Sequence, residues 1–136
     1  MKRELFGLML VSAASLLFSG CAIQQSPERQ AKLSELQRTI PTCYGERDCE
    51  AKWEAAQLWI VHHAGYKLQT TTNVLLETYN PSRSSTAIAV QVTKEPEGGG
   101  RYKMPVKIWC DNMFGCLPDS LDAALDFNRT VAAAAP

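Results

Sequence analysis

The sequence predicts an α+β fold: a four-stranded antiparallel meander sheet with an N-terminal and a C-terminal helix packed on one face, in the order α-β-β-β-β-α, stabilised by disulfides. Three observations lead there. Residues 48–64 carry apolar side chains at helical spacing; four β-prone runs follow, divided by turn compositions; and a second helical run begins near Ser120. Connections this short cannot form parallel crossovers, which need a dozen or more residues, so neighbouring strands must be antiparallel. Two helices over one sheet face give a two-layer domain.

Ahead of the domain, residues 22–41 are rich in Gln, Ser, Glu and Arg. Ser26 then Pro27 is a helix start, and Leu33, Leu36 and Ile40 recur on one face. A short amphipathic helix is expected over about 27–38, ended by Pro41 and acting as a spacer. The long helix is expected from Asp48 to Ala64. Cys49, Trp53, Ala56, Ile60 and Ala64 follow the 3.6-residue period, Asp48 can cap the start and pair with Lys52, and Gly65 supplies the stop.

Strands are expected over about 66–71, 74–79, 86–94 and 101–110. Their breaks are Thr72-Asn73, residues 80–85 and residues 95–100, the last ending in Gly98-Gly99-Gly100. Ile88, Val90 and Val92 share one face of the third strand; Tyr102, Met104, Val106, Ile108 and Cys110 share one face of the fourth. These rows should line the core. Pro105 cannot donate to a ladder, which places the fourth strand at an edge or marks a bulge. The last helix should run from Pro118 or Ser120 to Arg129, capped by Asp119 or Ser120, with Leu121, Ala124, Leu125 and Asn128 on one stripe. Residues 132–136 read as a loose tail.

The opposite sheet face would carry Lys67, Gln69, Ala87, Ala89, Gln91, Lys103, Lys107 and Trp109. Most of that row is polar, as an open face should be. Trp109 among small residues is a candidate contact point, against the plainer reading that it covers the sheet edge.

Charge excludes little but is still informative. Lys2, Arg3 and Glu4 lie in the first 20 residues; without them the 14 basic and 14 acidic residues become 12 and 13, a net charge of −1. That balance gives no case for nucleic acid or for attraction to an anionic surface. With 46% apolar residues the chain is not disordered overall.

At the N-terminus Lys2 and Arg3 precede an apolar run from Leu5 to Phe18, and Ser19-Gly20 puts two small residues before Cys21. This is the three-part layout of a secretory signal. The run of about 14 residues is shorter than the roughly 20 needed to span a bilayer. Leu17-Phe18-Ser19-Gly20-Cys21 resembles the lipobox of a bacterial lipoprotein precursor, with Phe18 where Leu is usual. The resemblance covers residues 1–21 only and implies a signal peptide over 1–20, cleavage before Cys21, diacylglyceryl attachment to its sulfur and fatty acylation of the new amino end. Ala22, rather than Asp, after the Cys implies sorting to the outer membrane. The chain then divides into signal 1–20, lipidated Cys and tether 21–41, domain 42–131 and tail 132–136.

Five cysteines would leave an odd thiol in an exported chain; lipidation of Cys21 accounts for it. Cys43, Cys49, Cys110 and Cys116 then form two C-x5-C pairs in a compartment where disulfides persist. Three connectivities are open. Local pairs are favoured because each joins a loop residue to the end of a regular element, although chain entropy rewards long crosslinks more.

The spacing does not fit structural zinc, which takes C-x2-C to C-x4-C, nor a C-x-x-C thiol-exchange site. His62 and His63 are adjacent, so in a helix they diverge by about 100° and cannot chelate one metal as an i,i+4 pair can. They complement the helix C-terminus instead. Asp119, Asp122 and Asp126 fall at helical spacing and read as a solvated face. The three glycines join two strands and so form no phosphate cradle. No G-x-S-x-G element occurs.

Residues 110–116 offer more. Met113 and Phe114 are either held at the tip of a disulfide-closed loop, as recognition residues are, or folded back to cap the core. Function is therefore expected to be non-catalytic: an envelope lipoprotein in the outer membrane facing the periplasm, bound to the membrane through Cys21, without cofactor or metal, engaging an envelope protein through Trp109, Met113 and Phe114. The alternative is a module for a small apolar or peptidoglycan-derived ligand, and an enzyme is the third class.

Overall fold

The computed structural model describes residues 25–136. The expected signal over 1–20 and the expected lipidation site Cys21 lie outside the described residues. Among the described residues, three helices, two antiparallel sheets and two disulfides make a mixed helix-and-sheet domain.

Helix α1 (Pro27–Arg38) begins where the Ser26 hydroxyl accepts the Arg29 N–H at 3.2 Å, with Pro27 at the first position, where a missing N–H loses no helical bond. None of its residues is buried. It is nevertheless no free spacer, because it is docked on α3 (Ser120–Ala133). Lys32 Nζ lies 2.7 Å from Asp122 Oδ1, and the Asn128 amide donates to the Leu36 carbonyl at 3.0 Å and the Thr39 hydroxyl at 3.1 Å. Residue numbers rise together along both helices at these contacts. The two helices therefore run parallel.

Strand β1 (Thr42–Tyr44) leads directly into α2 (Gly45–His63), which starts three residues before the expected Asp48. Tyr44 occupies the cap position without a side-chain bond, and Asp48 reaches back from the first turn to accept the Tyr44 backbone N–H at 2.8 Å. Lys52 Nζ sits 3.0 Å from Asp48 Oδ1 and donates to the Thr42 carbonyl at 2.8 Å. Together with the Cys43–Cys49 bond, this ties β1 to the helix.

The Tyr44 amide, and after it the Lys52 ammonium, hold the Asp48 carboxyl below its ordinary value of 3.8. A depressed carboxylate stabilises the fold fully above its unfolded value, and that contribution is lost as pH falls below 3.8 through the folded value. Asp48→Asn is expected to destabilise the protein at pH 7 and to differ less from the parent in acid. Urea unfolding at about pH 7 and about pH 3 measures this; an equal gap at both excludes the mechanism.

Helix α2 ends without a left-handed cap, since Gly65 is not among the positive-φ residues. Its N–H donates to the Ile88 carbonyl at 2.9 Å, which presses the chain against Ala87. Gly65 is thus a close-approach glycine and not the expected stop.

The larger sheet has the order β2 (Leu68–Thr71), β3 (Leu75–Thr78), β4 (Ala89–Thr93), β7 (Val106–Trp109), every pair antiparallel. The second sheet has the order β1, β6 (Arg101–Lys103), β5 (Glu95–Gly98). Here the expectation of one four-stranded meander is corrected twice. The run 101–110 is two strands in two sheets, broken at Met104-Pro105, where Pro105 has no N–H and Met104 N–H turns to the Pro41 carbonyl at 2.8 Å. Residues 95–98, expected as turn, pair as β5, while the expected glycine tip closes the β5–β6 hairpin with Gly98, Gly99 and Gly100 all at positive φ. Lys103 consequently leaves the outer face of the larger sheet and pairs with Glu95 at 3.3 Å.

The core gathers Trp53, Trp59 and Ile60 of α2, Leu76, Val90 and Val92 of the sheet, and Ala123, Phe127 and Val131 of α3. Asp119 caps α3, accepting the N–H groups of Leu121 and Asp122 at 2.9 and 3.2 Å. The helix continues through Ala133, so Ala132 and Ala133, expected in a loose tail, are helical.

Ala89 lies opposite Trp109, so the start of β4 and the end of β7 share one end of the larger sheet. Residues 110–119 leave from there, and α3 begins there. Because α1 is parallel to α3, its first turn lies at the same end. The second sheet lies at the other, where β4 ends and β7 begins.

Candidate functional site

The segment between β7 and α3 is built around Asn112. Its side-chain oxygen accepts the Phe114 N–H at 2.9 Å, its carbonyl accepts the Gly115 N–H at 3.3 Å, and its amide donates to the Ser84 carbonyl at 2.7 Å. Such a side-chain-to-backbone turn is why Asn suits this position. Gly115 takes φ +105°, closed to most side chains, and this turn lets Cys116 return to Cys110 with 5.6 Å between Cα atoms. The Leu117 N–H then bonds to the Thr86 carbonyl at 2.9 Å. The Asn112 side chain and the Leu117 backbone fix the loop against the 80–87 connection.

On this frame Met113 is 90% and Phe114 92% exposed, with Leu117 at 73%. Phe114 does not fold back over the core. Three large apolar side chains this exposed on one loop are more than the scattered single ones that need no explanation. Trp109, the last residue of β7, is half-buried beside the fully buried Ala89, with Lys107 Nζ 4.9 Å from its ring centroid. Further along the same sheet face, the Gln91 amide donates to Glu77 at 2.9 Å.

His63 and the three aspartates at helical spacing have structural partners, whereas His62 is exposed without a side-chain hydrogen bond or ion pair. His63 Nδ1 donates to the Trp59 carbonyl at 2.8 Å, and its ring stacks on Trp59 with centroids 4.6 Å apart. Its Nε2 stands 4.0 Å from Asp126 Oδ2, beyond hydrogen-bond reach, and that oxygen accepts the Trp59 indole N–H at 2.8 Å. Asp119 caps α3 and Asp122 meets Lys32, so the three carboxylates serve three separate contacts. All four cysteines among the described residues are disulfide-bonded, and no group of metal ligands is present among those residues.

A second feature escaped sequence reading. At the opposite end of the domain a cleft of about 620 Å³ opens between α2, the start of β3 and β6. Lys94 stands in it with Nζ 5.2 Å from the Trp53 ring centroid and 5.8 Å from that of Tyr102, with Glu46 and Glu50 on the walls. Trp53 donates its indole N–H to the Thr72 carbonyl at 3.0 Å. Trp53 lies in α2, Lys94 is the single residue between β4 and β5, and Tyr102 lies in β6, so no local pattern joins all three. The chain matches no family model, no curated protein and no solved structure.

Proposed function

We propose that this chain is a lipid-anchored protein of the bacterial envelope, held on the outer membrane through acylated Cys21, whose domain is a non-catalytic binding module for another envelope protein. The observation that carries the reading is the segment Leu17-Phe18-Ser19-Gly20-Cys21 after an apolar run. Disulfide pairing is consistent with it: Cys43 is joined to Cys49 and Cys110 to Cys116, so none of these is available to Cys21. No helix among the described residues is long and apolar enough to cross a membrane, so attachment would fall to the lipid. On this reading Trp109 and the adjoining outer sheet face take the protein partner, and the 110–116 loop presents Met113 and Phe114 to whatever lies at that end.

Metabolic labelling with a fatty-acid probe is expected to mark the protein in cells and to mark Cys21→Ala not at all, with the mature chain beginning at Cys21. An unlabelled parent, or a mature chain beginning elsewhere, removes the reading.

The cleft supports a second reading, a module for a peptidoglycan-derived ligand, since the half-buried Tyr102 ring and the Lys94 ammonium, with the edge of Trp53 at the wall, suit a sugar bearing a carboxylate. Muramyl peptide should then quench or shift tryptophan emission in the parent and leave Lys94→Ala unchanged. Identical titrations for both proteins reject it.

A further inference from the structure

The N-terminal chain is fixed at one end of the domain, and that end is the one with the apolar loop. Lys32 meets Asp122 in the first turn of α3, while Leu36 and Thr39 meet Asn128 further along. From Lys32 back to Pro27 is roughly 7 Å of helix at 1.5 Å per residue, whereas Ser120 lies only about 3 Å before Asp122. Gln25 therefore emerges at or past the start of α3, at the end formed by residues 110–119. Cys21 precedes Gln25 by four residues, and extended chain spans at most about 3.6 Å per residue. Any lipid on Cys21 starts within roughly 15 Å of Gln25.

We propose that Met113 and Phe114, with Leu117 at their base, enter the surface of the same bilayer that holds the Cys21 lipid. The domain then stands on the membrane by two contacts, and the cleft formed by Trp53, Lys94 and Tyr102 faces away from it. The proposal rests on the acylation of Cys21.

Three features select a lipid surface over a protein as the occupant. A short tether makes docking intramolecular, so a contact too small to hold the protein alone is sufficient once the lipid is inserted. The exposed side chains are apolar and come from a loop whose backbone is already fixed by the disulfide and by Asn112, so docking orders little. Exposed charges at this end carry both signs, Asp111, Asp119 and Glu28 against Arg83 and Arg29. The contact should therefore be insensitive to salt, unlike one made by a basic patch.

The test uses the full lipidated chain in phosphatidylethanolamine and phosphatidylglycerol vesicles containing a phospholipid with a diazirine in its acyl chain. Val74, half-exposed at the opposite end, is the internal control. Adducts are expected to concentrate on residues 112–117, and replacing Met113 and Phe114 together by Ser is expected to reduce them about tenfold, to the Val74 level, with the Cys21 acylation intact. Acylated, vesicle-bound protein with no excess of adducts on 112–117 overturns the docking alone. In the same vesicles a diazirine-bearing methionine analogue at position 113 that joins two copies loop to loop, in place of lipid, also overturns it, assigning the tip to a second copy. A chain without lipid on Cys21 overturns the docking together with the lipoprotein reading.

Discussion

Phe127→Ala is expected to lower the unfolding free energy by about 3–5 kcal/mol and the melting temperature by roughly 10–20 °C. Phe127 is fully buried, and its ring meets Trp59 edge-on, with centroids 5.3 Å apart and planes at 87°. Truncation removes both the transfer energy of the ring and that aromatic contact. The neighbours are poorly placed to fill the space: Trp59 is held at its indole nitrogen by Asp126 and on its face by His63. For a domain stable by about 5–15 kcal/mol, the loss is a large share of the whole. Thermal and urea unfolding followed by circular dichroism measure it. Phe127→Leu, which keeps most of the volume, should recover more than half. A loss below about 1 kcal/mol for the alanine variant contradicts this packing.

Phe127 also shows what the sequence makes legible. The stripe Leu121, Ala124, Leu125 and Asn128 stands out by its spacing, and all four residues are buried. None of them belongs to the main core, which takes Ala123, Phe127 and Val131 from the next stripe round. Asn128 of the first stripe meets α1. A helix covered on two sides has two apolar faces, and periodicity alone does not say which faces which neighbour.

The fourth expected strand failed in a related way. Of the row Tyr102, Met104, Val106, Ile108 and Cys110, which alternates without interruption, the first four pack on or within one core and Cys110 does not. The inward row was therefore readable, but the change of sheet at Pro105 was not, because alternation reports facing and not pairing. Strand β5 has no pattern of its own; Glu95-Pro96-Glu97-Gly98 is paired because the glycine tip folds it onto β6. At the candidate site, the spacing of Cys110 and Cys116 made a closed loop an expectation, whereas the outward turn of Phe114 depends on Asn112 bonding to Ser84, 28 residues away. The Trp53, Lys94 and Tyr102 cleft is likewise a product of tertiary placement.

Gly65→Ala is expected to destabilise by about 1–3 kcal/mol, and Ala87→Gly is expected to rescue it. A Cβ at residue 65 would stand 2.5 Å from Ala87 Cβ and 3.4 Å from its Cα, so the obstacle is attached to backbone and cannot rotate aside. Retreat is resisted as well, because the Gly65 N–H is bonded to the Ile88 carbonyl and Ile88 and Ala89 are buried. The single Ala87→Gly change costs about 0.5–1 kcal/mol through chain entropy if it touches nothing else. Urea midpoints of the four proteins in the cycle decide the matter. Independent positions would give a double variant weaker than either single one; a shared contact gives a double variant more stable than Gly65→Ala. Since Gly65 joins α2 to the strand end beside residues 80–87, on which Asn112 and Leu117 anchor the apolar loop, the strained single variant should also loosen that loop. Faster amide exchange at Phe114 and Leu117 in Gly65→Ala, returning to the parent rate in the double variant, would show that the helix end and the loop share one frame.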